Sequence, residues 1–69
     1  MKESEIVNIQ AYLRSKFGTE RISIKKGDGK DAPVEVYINK EFVGPIYRNE
    51  DEGEVSYDFV MSILKEDLE

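Results

Sequence analysis

The sequence predicts an α+β fold, with one N-terminal amphipathic helix packed on a four-stranded antiparallel β-meander. Three observations predict it. Apolar residues recur at steps of three and four as far as Phe17, and at steps of two after Gly18. Polar breaks rich in Gly, Asn and Asp divide the second part into four short runs. At 69 residues, of which 39% are apolar, the chain has room for one domain and one small core.

The helix is expected over residues 5–17. Ile6, Ile9, Leu13 and Phe17 fall within a stripe about 80° wide at helical pitch. Ser4 stands at the N-cap position and Glu5 in the first turn. Arg14 and Lys16 occupy the last turn, where cations suit the helix dipole, and Gly18 follows as a C′ residue.

The first strand is the alternating run Arg21-Ile22-Ser23-Ile24-Lys25, closed by the turn-forming residues 27–31. The second is Val34-Glu35-Val36-Tyr37-Ile38. Asn39-Lys40-Glu41 reads as a three-residue hairpin loop. The third strand runs from Glu41 to Tyr47, with Phe42 and Ile46 on one face. Pro45 inside it removes a ladder donor, so Gly44-Pro45 is expected to mark a bulge or bend. An acidic loop over 48–54 follows.

The last strand is read from Val55, Tyr57, Phe59, Met61 and Ile63, five apolar residues at consecutive odd positions. A helical stripe through Tyr57, Val60, Met61, Leu64 and Leu68 is the competing pattern, and the unbroken alternation favours the strand. The expected core unites the helical stripe with Ile22, Ile24, Val34, Val36, Ile38, Phe42 and Ile46 and the odd positions 55–63. Tyr37, Val43, Tyr47, Val60 and Leu64 are left on the outer sheet face. A two-residue hairpin loop would instead exchange the faces of the third strand.

Composition excludes several chemistries. With no Cys there is neither a disulfide framework nor a thiolate zinc site. With no His, the commonest general base and transition-metal ligand are both missing. No apolar run approaches the ~20 residues needed to span a bilayer. The polar start Met1-Lys2-Glu3-Ser4-Glu5 is unlike a signal peptide, so the expected location is the cytoplasm.

The motifs that invite a catalytic or ligand-binding reading do not sustain one. Gly27-Asp28-Gly29-Lys30 lacks phosphate-loop spacing and precedes a strand, so no helix N-terminus backs it; a turn accounts for it. Aligning Gly53 with the glycine of a calcium loop puts Arg48 and Phe59 where carboxylate ligands belong. No glycine-flanked elbow surrounds a serine. A short chain also leaves little volume for a pocket that would drive two carboxylate pKa values apart. No enzymatic activity, cofactor or metal is therefore expected.

Binding remains. The net charge of −5 is uneven: residues 14–30 hold six basic and two acidic side chains, and residues 48–69 hold two basic and eight acidic. Arg14, Lys16, Arg21, Lys25, Lys26 and Lys30 form the one basic stripe, a candidate for weak binding of RNA or another anion. The net charge opposes that reading, and lysines on an outer strand also serve to discourage unwanted pairing. Protein binding or self-association, with a homodimer as one form, fits better. In a meander the last strand is an edge, and Tyr37, Val43, Tyr47, Val60 and Leu64 offer an apolar face with phenol groups.

The helix segment Gln10-Ala11-Tyr12-Leu13-Arg14, the hairpin Val36-Tyr37-Ile38 to Phe42-Val43-Gly44, and the end Ser56 to Leu64 with Asp67-Leu68-Glu69 together resemble one family. It comprises short alphaproteobacterial proteins of about 70 residues with no assigned function. The resemblance covers nearly the whole chain and implies a bacterial cytoplasmic protein. It brings no catalytic residues with it, and Pro45 after Gly44 departs from the pattern.

Overall fold

The computed structural model describes residues 1–29 and 32–68. Its elements are α1 (Glu3–Phe17), β1 (Ile22–Lys25), β2 (Val34–Ile38), β3 (Glu41–Asp51), β4 (Glu54–Phe59) and a short 3-10 helix (Lys65–Leu68). The strands form one antiparallel sheet in the order β1-β2-β3-β4. The architecture is the expected helix and meander.

The helix begins two residues before the expected start. Its N-cap is Lys2, and the Glu5 carboxylate accepts a hydrogen bond from the Lys2 backbone N–H at 3.1 Å. Glu5 thus satisfies a donor at the helix start, which displaces Ser4 from the capping role. Gly18 ends the helix in the left-handed conformation, with φ +64°, and the Thr19 N–H donates to the Arg14 carbonyl at 3.0 Å.

Among the described residues seven apolar ones are buried: Ile6 and Leu13 of α1, Ile22 and Ile24 of β1, Val34 and Val36 of β2, and Ile46 of β3. Met1, Ile9, Ile38, Val43 and Phe59 pack against them. Phe17, expected in the core, is 57% exposed. The helix lies along β1, where Arg14 reaches Ile22. Its last turn therefore passes the end of that strand.

The β2–β3 hairpin corrects two expectations at once. Its loop has two residues, since Ile38 pairs with Glu41. Asn39 and Lys40 both have positive φ, +53° and +67°, the signature of a type I′ turn. This turn puts Phe42 opposite Tyr37, on the outer face. One step on, Val36 pairs with Gly44 and Val43 is left over as a bulge. The bulge restores phase, so Ile46 is buried as expected, while Val43 turns toward the core and Phe42 away from it.

Pro45 sits in this internal strand without breaking it. Its carbonyl accepts a hydrogen bond from the Val60 N–H at 3.0 Å, so its backbone faces β4 and not β2. Two neighbours of an antiparallel strand take alternate residues. The missing Pro45 donor therefore falls at the last rung of the β3–β4 ladder, and there β4 stops. Val60 then passes so close to Gly44 that a Cβ on that glycine would overlap the Val60 carbonyl oxygen.

The acidic segment is hairpin rather than loop. β3 continues through Asp51, Glu52 and Gly53 make a second tight turn with φ +49° and +82°, and β4 starts at Glu54. The strand expected to run through Ile63 ends at Phe59: Pro45 has no N–H to return the hydrogen bond of Val60, and β3 and β4 do not pair beyond that rung. Met61 and Ile63 are accordingly exposed, not core. Val55 and Tyr57 are partly exposed too, because their part of the hairpin projects past the body of the molecule.

Candidate functional site

The two edges of the sheet differ. On β1, the Arg14 Nε–H donates to the Ile22 carbonyl at 2.8 Å, and the Gln10 side-chain oxygen accepts from the Ile24 N–H at 3.0 Å. Both side chains come from α1, so the helix occupies the outward backbone groups of the strand it covers. The edge of β4 has no such cover among the described residues. Its Val55, Tyr57 and Phe59 side chains lie on the helix side of the sheet.

Beside that edge is a groove of about 430 Å³. Asn8, Ile9, Tyr12 and Leu13 of α1 form one wall, and Ile46, Tyr57 and Phe59 form the floor. It exists because α1 packs along β1 and leaves the β3–β4 side of the same face open. Sequence reasoning put Tyr57 and Phe59 in the core and did not foresee a groove. The signal for it was already there: one four-turn helix cannot cover four strands.

Glu5 closes the upper end of the groove. Its carboxylate accepts hydrogen bonds from the Tyr57 hydroxyl and from Arg48 Nε at 2.9 Å. Arg48 also donates to Glu50 at 3.0 Å. The Tyr57 hydroxyl, then the Lys2 amide, then Arg48 hold the Glu5 carboxyl at about 2, well below its ordinary value. In return Glu5 raises the Tyr57 phenol, and Glu50 followed by Glu5 raises the Arg48 guanidinium. The cluster ties the helix N-terminus to the projecting hairpin.

The five expected interface residues do not share one surface. Tyr37 and Tyr47 belong to the outer sheet face, where Phe42 stands edge-on to the Tyr37 ring at 5.7 Å. The Tyr37 hydroxyl donates to Glu35 at 3.0 Å, which raises the phenol. Val43 is turned inward by the bulge, and Phe42 takes its place. Val60 and Leu64 lie beyond the end of β4, exposed.

The basic stripe is dispersed as well. The Lys25 ammonium sits 4.7 Å from the centre of the Tyr37 ring, and that of Lys16 5.8 Å from Tyr12. Lys26 is 3.6 Å from Glu3, and Arg14 serves the β1 edge. Arg21 is exposed. Lys30 lies outside the described residues. No group of three or more potential metal-ligating side chains occurs among the described residues, and no helix among them is long and apolar enough to cross a membrane.

No curated protein and no solved structure matches the chain. Residues 5–67 match the family model described as "Protein of unknown function (DUF3126)". That match runs from the first turn of α1 into the 3-10 helix, and the chain belongs to this family.

Proposed function

We infer that the chain is a small interaction protein of the cytoplasm, without catalysis of its own, whose last strand takes up a further strand from a binding partner. The observation that carries this reading is the contrast between the edges. The fold spends Gln10 and Arg14 on closing β1 and leaves β4 open. A strand added to β4 gains main-chain hydrogen bonds along the edge, and its alternate side chains meet the apolar floor at Tyr57 and Phe59. Tyr37, Phe42 and Tyr47 offer a second, smaller contact on the outer face.

The test is residue-specific amide exchange of isotope-labelled protein, in buffer and in lysate of the source cells. Protection appearing at Val55, Tyr57 and Phe59 is the expected result. Fast, unprotected exchange at all three in both samples abandons the reading. Weak RNA or anion binding by Arg14, Lys16, Arg21, Lys25, Lys26 and Lys30 has less behind it, because most of these cations are engaged locally. It predicts an affinity that falls steeply with salt.

A further inference from the structure

The open edge has a geometry that selects its partner. In an antiparallel ladder, residues alternate between facing the neighbour and facing away. Val60 bonds to Pro45, so by the β3–β4 register Asp58, Ser56 and Glu54 also face β3. Val55, Tyr57 and Phe59 therefore turn their N–H and C=O groups outward. Three outward residues have a middle one, Tyr57, and that allows a two-fold axis.

We propose that the partner is a second copy of this chain, its β4 pairing antiparallel with the first about a two-fold axis at Tyr57. The proposal rests on the interaction reading above and names the strand that reading requires. In this register Tyr57 opposes Tyr57 of the second copy, and Val55 opposes Phe59. Outward residues meet outward residues at every rung, for about six main-chain hydrogen bonds. Val55 and Phe59 pack across the junction on the helix side.

On the other face Ser56 opposes Asp58 of the second copy, a hydroxyl donor against a carboxylate, and the symmetry repeats the pair. Glu54 opposes Val60. No acid faces an acid, in a chain of net charge −5. The closed β1 edge completes the case. With one open edge per chain, pairing of the open edges gives an eight-stranded sheet whose outer strands are both covered, so association stops at the dimer.

The chain has no Cys, which makes a clean test possible. Sedimentation of the purified protein from micromolar to millimolar concentration is expected to show twice the 8.0 kDa chain mass. Tyr57→Cys is expected to cross-link to itself on oxidation, since opposed Cα atoms lie about 5.5 Å apart, inside the range a disulfide spans. Val55→Cys is not, because its own copy lies on the order of 13 Å away along the strand. If Tyr57→Cys does not fold, a mixture of Val55→Cys with Phe59→Cys replaces it, cross-linking only as the heterodimer.

A monomer at every concentration, or cross-linking of Tyr57→Cys no faster than that of Val55→Cys, overturns the second copy as partner. If such a monomer still gains protection at Val55, Tyr57 and Phe59 in lysate, the interaction reading stands with a different partner. If it gains none, both fall.

Discussion

Gly44 is the glycine with the least room for a side chain. It lies in β3 opposite Val36, and the chain leaving β4 crosses it at backbone distance. The neighbours that a Cβ would meet are the Val60 carbonyl and the Met61 Cα, neither of which swings aside as a side-chain end does. Gly44→Ala is expected to destabilise by about 1–3 kcal/mol, the range for overpacking, read as a lower midpoint in urea. An unchanged midpoint would mean that the C-terminal segment does not cross there. Glu5 makes a second prediction at this scale. Its folded pKa, about 2, lies below the ordinary carboxyl value of 4.5. Its hydrogen bonds to Tyr57, Lys2 and Arg48 therefore stabilise the fold fully above pH 4.5 and are lost as pH falls through 2. Stability measured over that interval should fall less steeply in Glu5→Gln than in the parent, and equal slopes would refute the assignment.

Among the elements, the β2–β3 turn is the one most open to improvement. Asn39 and Lys40 both hold positive φ, and a type I′ turn prefers Gly at its second position. Lys40→Gly should stabilise by about 0.5–1 kcal/mol, raising Tm by a few degrees, whereas a three-residue loop would gain nothing. What the sequence disclosed and concealed follows from the same hairpin. The helix and β2 were legible because each follows one period from end to end. The faces of Phe42 and Val43 were not, because a two-residue turn and a one-residue bulge offset each other further along the strand. Ile46 came out right while the residues between did not. The end of β4 was hidden for another reason. Alternation continues to Ile63, but a strand also needs a partner, and Pro45 on a different strand withholds it. The candidate site was half legible. That the last strand of a meander is an edge follows from order alone, whereas the closure of β1 rests on Gln10 and Arg14, which read as ordinary polar helix residues.

For the whole molecule, that closure decides how the chain meets others of its kind. The double variant Gln10→Ala, Arg14→Ala frees the Ile22 carbonyl and the Ile24 N–H. Two open edges per chain permit growth without end. The variant is expected to form polydisperse assemblies by light scattering at concentrations where the parent stays uniform. A variant as uniform as its parent would show that the helix packing alone, without these two hydrogen bonds, keeps the edge shut. The outline of the molecule bears on its behaviour too. It measures 43 × 23 × 22 Å, and its radius of gyration of 12.9 Å exceeds the about 11 Å expected for a compact domain of this length.

The excess length is the hairpin arm between Arg48 and Tyr57, fastened to the body by Glu5 and lacking a core of its own. In the isolated chain such an arm opens without the rest of the fold unfolding, so its amides should there exchange far sooner than those of Val34 and Val36. It is also where the chain best accepts foreign sequence. A tag or a cleavage site inserted between Glu52 and Gly53 lengthens a turn already clear of the body and adds only a modest loop-closure cost. The long hairpin thus supplies a handle by which the protein is labelled or tethered with its helix and core left as they are.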